Sequence, residues 1–135
     1  MIESSQKIKT FLTFPGTAEE AVNFYLSLFP GSKLLEMTRF GKDQFGEEGK
    51  VLNATFELKG VQFMAMDMDK DSAAAFSWAT SLQVDCLDEQ EFDTLFARLA
   101  ENSAAIMMEP EPVLDFRKVA WVTDRFGVTW QLVWQ

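Results

Sequence analysis

At 135 residues, with 21 acidic against 12 basic side chains, a formal net charge of −9 and no histidine, the chain has room for one domain or two small modules sharing a core. Arg39, Lys42, Lys50, Arg98, Arg117, Lys118 and Arg125 are scattered among acids, which excludes a basic nucleic-acid groove. No run reaches the roughly 18–20 apolar residues of a membrane span, and the single cysteine, Cys86, excludes an internal disulfide.

In chain order, Met1 to Lys9 shows no apolar leader core, so a cytoplasmic, reducing address is expected. Residues 8–14 read as a first strand, rich in aromatic and β-branched side chains. Pro15-Gly16 ends it. Thr17 with Glu20 forms a capping-box pattern, and Ala21, Phe24, Tyr25 and Leu28 follow at helical spacing. Pro30-Gly31 stops that helix near Phe29. Residues 32–40 read as a second strand, and 41–50 as a polar loop with Gly41, Gly46 and Gly49. Two further strands, 51–59 and 61–68, meet at a tight turn on Gly60. A small-residue linker follows, then a strand over 80–85. Asp88 with Glu91 caps a second helix whose buried stripe is Phe92, Leu95, Phe96 and Leu99, ending near Asn102. A short strand over 105–108 is expected to break at Pro110 and Pro112. Strands 117–123 and 128–134 close the chain.

The order β-α-β-β-β therefore occurs twice. Gly60 and Gly127 are 67 positions apart (127 − 60), and the helix starts Thr17 and Asp88 are 71 apart (88 − 17). Two matching offsets point to a duplicated module: 7–68, a linker 69–78, and 79–135.

Gly16-Thr17-Ala18-Glu19-Glu20-Ala21-Val22-Asn23-Phe24-Tyr25, then Leu28-Phe29-Pro30-Gly31-Ser32-Lys33, and finally Thr123 to Gln131, carry a likeness along nearly the whole chain. In them the sequence resembles the glyoxalase/bleomycin-resistance/dioxygenase (vicinal oxygen chelate) superfamily, in its PhnB-like branch, some of whose members are labelled 3-demethylubiquinone 3-methyltransferase. The resemblance implies an α+β fold, with two βαβββ modules forming a curved mixed sheet around a cleft and helices on the convex side. It also implies a homodimer. Metal-using relatives place ligands on the first and last strand of each module. By spacing, those positions here are Thr10, Met64, Ala79 and Gln131, with Leu12 and Ser81 as substitutes. Such sites want imidazole, carboxylate and water, so no metal and no cofactor is expected.

Strand alternation from Gln131 and Met64 gathers the expected ligand pocket: Thr10, Leu12, Gln62, Met64, Met66, Ser81, Gln83, Thr129 and Gln131, with Val133 beside them. Val61, Phe63, Ala65, Val128, Trp130, Leu132 and Trp134 are expected to be core. Methionines, amides and hydroxyls suit a small, partly apolar ligand, and equally fill a closed interior. Asp67 to Asp71 begins like a calcium loop, but Ser72 and Trp78 stand where glycine and glutamate are needed. The glycine-rich loop lacks a following Gly-Lys-Ser/Thr. Cys86 has no histidine to activate it and reads as a buried thiol. The function expected is metal-independent binding of a small molecule, with no nucleic-acid or membrane partner. Two alternatives stay open: a metal-dependent isomerase or lyase using Gln131 and Glu57, and a metal-free enzyme using Glu57, Asp85 or Asp124.

Overall fold

The computed structural model describes residues 4–135, so the leader reading of Met1 to Lys9 falls partly outside the described residues. The chain divides into two compact units, Met1–Ala74 and Ala75–Gln135.

Unit 1 runs β1 (Thr10–Phe14), α1 (Ala18–Leu28), β2 (Lys33–Arg39), β3 (Val51–Leu58) and β4 (Val61–Asp67). Its sheet has the order β1-β4-β3-β2, with β1 parallel to β4 and the other pairs antiparallel. The parallel pair follows from connectivity: a helix carries the chain from β1 back across the sheet, while Lys59-Gly60 joins β3 to β4 directly. Both turn residues have positive φ, 48° and 80°, the two-residue hairpin geometry that matches strand twist. Helix α1 packs on β3 and β4, burying Ala18, Ala21, Val22, Tyr25 and Leu28. Beneath it lie Phe14, Ala54, Phe56 and Ala65, fully buried, and Phe63 stacked on Phe56 at 5.6 Å between ring centroids. Full burial of each such aromatic contributes roughly 2–3 kcal/mol.

Unit 2 repeats the plan: β5 (Ser81–Asp85), α2 (Glu89–Ala100), β6 (Ala105–Val113), β7 (Phe116–Thr123) and β8 (Thr129–Trp134), ordered β5-β8-β7-β6 with β5 parallel to β8. Helix α2 packs on β7 and β8 through Phe92, Leu95 and Leu99. The Asp88 carboxylate accepts from the Glu91 backbone N–H at 2.8 Å, and the Glu91 carboxylate accepts from the Leu87 N–H. Asn102, at φ 55°, turns the chain out of the helix in the left-handed conformation asparagine tolerates. Cys86 is buried between β5 and α2.

Three local expectations change. Strand β6 does not stop at Met108 but runs through both prolines to Val113. It is the outer strand of its sheet, where a missing N–H removes no ladder bond, and its register shifts three times along β7. Thr17 precedes α1 but makes no side-chain cap hydrogen bond. The Ala18 N–H is instead taken, at 2.8 Å, by the carboxylate of Asp67 at the end of β4. Val61, expected in the core, is 46% exposed, whereas Val133 is buried. Among the described residues no helix is long and apolar enough to cross a membrane.

Candidate functional site

Each sheet has one face under its helix and one face without. Side chains directly opposite one another on paired strands share a face, so the register assigns them. In unit 1, Phe11 pairs with Met64 and Thr13 with Met66, while Thr10, Leu12 and Phe14 pair with Phe63, Ala65 and Asp67. Gln62, Met64 and Met66 thus lie on the helix-free face together with Phe11, Thr13 and, from β3, Asn53, Thr55 and Glu57. Thr10 and Leu12 do not. They are on the helix-covered face, Leu12 buried, because β1 pairs one residue out of step with the expected alignment. On the helix-free face, Asn53 Oδ1 and Gln62 Oε1 are buried with no hydrogen-bond partner. The Gln62 backbone is held separately by Gln6, whose side-chain amide bonds both its N–H and its carbonyl, at 2.9 and 3.0 Å.

In unit 2 the register brings Ser81, Gln83, Thr129 and Gln131 onto one helix-free face, with Trp121 and Thr123 from β7. These groups largely satisfy one another. Gln131 Nε2 donates to Ser81 Oγ at 2.9 Å, the hydroxyls of Thr123 and Thr129 lie 2.7 Å apart, and Gln83 Nε2 donates to Asp85 at 3.0 Å. The exception is Trp121, whose indole Nε1 is buried without an acceptor. Its ring meets that of Trp78 edge-on at 6.0 Å, and Trp78 is 60% exposed. Trp134, expected in the core, is half-buried with the Arg117 guanidinium over its ring.

The four positions implied for a metal do not fit one. Thr10 and Met64 point to opposite faces of their sheet. Ala79 has no ligating side-chain atom, and Gln131, whose Nε2 donates to Ser81, has only one neutral amide oxygen to give. Divalent ions of this kind need imidazole or carboxylate oxygen, not thioether sulfur and one neutral amide oxygen. Of the carboxylates considered for acid–base work, Asp124 is completely buried and accepts from the Phe126 and Val128 N–H groups and from Trp130 Nε1, at 2.8, 3.1 and 2.9 Å. It holds the β7–β8 turn. Asp85 accepts from Gln83. Glu57 is on the Gln62 face, opposite Gln62 itself.

A cavity of about 830 Å³ lies within unit 1, at the ends of β1 and β4 and against the first turn of α1. The loop 40–50 forms another of its walls, and Met68 to Ser72 a third. Asp67 sits in its lining with both oxygens engaged, one by Ala18 N–H and one by Val51 N–H at 2.9 Å. Lys50 Nζ donates to the Gly16 carbonyl at 3.0 Å. The sequence pattern singled out two of its segments, the glycine-rich loop and Asp67 to Asp71, without bringing them together, since its residues come from three separate segments. The nearest signal was an aspartate closing an otherwise apolar strand.

Residues 6–133 match the family described as 3-demethylubiquinone-9 3-methyltransferase. The chain belongs to that family. A PhnB protein from Bacillus cereus that carries the family's name is 43% identical, over 96% of this chain and 100% of its own, with a TM-score of 0.90. Protein PA1353 from Pseudomonas aeruginosa is 26% identical over 97% and 98% of the two chains, with a TM-score of 0.84. A glyoxylase/bleomycin resistance protein/dioxygenase domain from Frankia, 17% identical over 98% of each chain, shares the fold at a TM-score of 0.66. No curated protein matches the chain. As in that domain, this member of the 3-demethylubiquinone-9 3-methyltransferase family is an α+β protein of two four-stranded mixed sheets and two helices.

Proposed function

We propose that the chain is a metal-independent small-molecule-binding protein, one that sequesters its ligand, and that the helix-free face of unit 1 receives it. The observation that carries this reading is the pair of buried, unpartnered acceptors, Gln62 Oε1 on β4 and Asn53 Oδ1 on the neighbouring β3, on the face that carries Met64 and Met66. A buried acceptor without a donor costs about 1–3 kcal/mol, a cost that a ligand hydroxyl or amine would remove. Methionine side chains adapt to the ligand's apolar body. The metal-independent part rests on the donor set described above. Methyl transfer draws no support from the two helix starts. A nucleotide-type methyl donor would place anionic or hydroxyl groups on a strand-to-helix turn, and both such turns here already hold a protein carboxylate, Asp67 or Asp88. The proposal includes a homodimer.

The test is equilibrium dialysis of the purified protein against a mixture of small metabolites, with and without a chelator, read by mass spectrometry. The same compound should be retained in both arms. Asn53→Ala and Gln62→Ala should each weaken retention about 5- to 10-fold, equivalent to about 1–1.4 kcal/mol. Neither change should lower the melting temperature, because each removes an unsatisfied group. Retention abolished by the chelator, or stoichiometric zinc, nickel, manganese or iron in the protein, would sink the reading.

A further inference from the structure

We propose that the cavity at the ends of β1 and β4 is a second binding site, built for an organic cation: a protonated or quaternary amine carried on an apolar body. It contains none of the residues of the helix-free face, so the two proposals stand or fall separately. Its volume, about 830 Å³, is that of a metabolite-sized pocket.

The apolar wall is Phe40, Phe45 and Met68. Phe40 is buried, and the backbone of Gly46 lies so close to its ring that a Cβ on Gly46 would sit 2.3 Å from it. That contact seats the loop. Phe45, one residue earlier, stacks edge-on against Phe40 at 4.8 Å and still leaves 80% of its surface uncovered. An aromatic ring held over a cavity with its surface free is a surface for an apolar or cationic group.

Charge selects the cation. The lining carries Glu20, Glu47, Asp67 and Asp69 against Lys50 and Lys70. Asp67 is consumed by two backbone N–H groups, and Lys50 is tied to Gly16. Glu20, Glu47 and Asp69 have no ion-pair partner among the described residues. An anion would look for the start of α1, but Asp67 already occupies that seat and would repel it. A metal ion is disfavoured by spacing: among the described residues no three acidic or thiol groups converge as a cation cage requires. Dispersed carboxylates around an aromatic wall suit a charge on an extended organic molecule instead.

The test is a nitrogen-15 NMR titration of the whole chain at neutral pH with three probes of one shape: phenethylammonium, 2-phenylethanol and 3-phenylpropionate. Phenethylammonium should give saturable shifts at the amides of Gly16, Gly46, Met68 and Lys70. The alcohol should bind at least about tenfold more weakly, and the carboxylate not at all. The double substitution Glu20→Gln and Asp69→Asn, at exposed positions that do not hold the fold, should weaken the ammonium about tenfold, and Phe45→Ala should weaken it further. Equal affinity for all three probes, shifts confined to Gln62 and Met64, or ammonium binding unchanged in the double variant would overturn the proposal.

Discussion

Asp67 joins three pieces of unit 1 through one carboxylate. One oxygen accepts from Ala18, the first N–H of α1, the other holds the first residue of β3, and the aspartate itself closes β4. The side chain expected to do the first of these jobs, Thr17, does none of it. The two residues therefore predict opposite outcomes. Asp67→Ala strands two buried N–H groups and should cost about 2–4 kcal/mol, whereas Thr17→Ala should cost less than about 0.5 kcal/mol. Urea denaturation of the two variants measures both, and equal losses would mean that Thr17 caps after all. Asp124 plays a comparable part in unit 2, accepting from two backbone N–H groups and one indole. Asp67 shares its segment with Asp69 and Asp71, and only its partners distinguish it from those two, whereas Asp124 is the one acidic residue between Phe116 and Gln135.

At the scale of elements, the two copies of the module solve the same problems differently. Helix α2 is capped by its own Asp88, and α1 by a residue 49 positions away. The β3–β4 connection is a two-residue turn, while the β7–β8 connection is folded around Asp124, with Gly127 at φ 92°. Strand β2 is tied to α1 by a two-pronged pair, Arg39 Nη1 and Nη2 to Glu19 at 2.9 and 2.7 Å. The hydrogen bond from Arg39 holds the Glu19 carboxyl below its ordinary value of 4.5. The sign follows from the lowered value: the pair's contribution is complete above pH 4.5 and is lost as pH falls through the depressed folded value. In an NMR titration of side-chain carboxyls, Arg39→Ala should move the Glu19 midpoint upward and leave other carboxyls in place. A Glu19 midpoint that does not move would show that the pair does not persist in solution.

For the whole molecule, the element order, the repeated βαβββ pattern and the family were legible in the chain, because Gly and Pro punctuation and the Asp88 cap of α2 act locally. Alternation within β4 and β8 was legible for the same reason: Gln62, Met64 and Met66 cannot share a face with Phe63 and Ala65. The face of β1 was not. Its five residues, Thr-Phe-Leu-Thr-Phe, put apolar side chains on both sides, and nothing local chooses between them. We expect a homodimer. Light scattering at micromolar concentration should give a mass near twice 15.4 kDa, and a monomer mass would refute the dimer.

Local chemistry alone selects which residues can form strands, helices and turns, and which neighbours along a strand must face apart. Long-range packing sets the pairing of β1 with β4, and hence that Phe11 and Thr13, not Thr10 and Leu12, stand beside Met64 and Met66. It also decides that Asp67 caps α1, and that three distant segments line one cavity. The physical reason is common to all three. Side-chain direction has a period of two along a strand, so a one-residue change of register reverses every face. Register is set by hydrogen-bonding partners far away in the chain and by the helix packed above them.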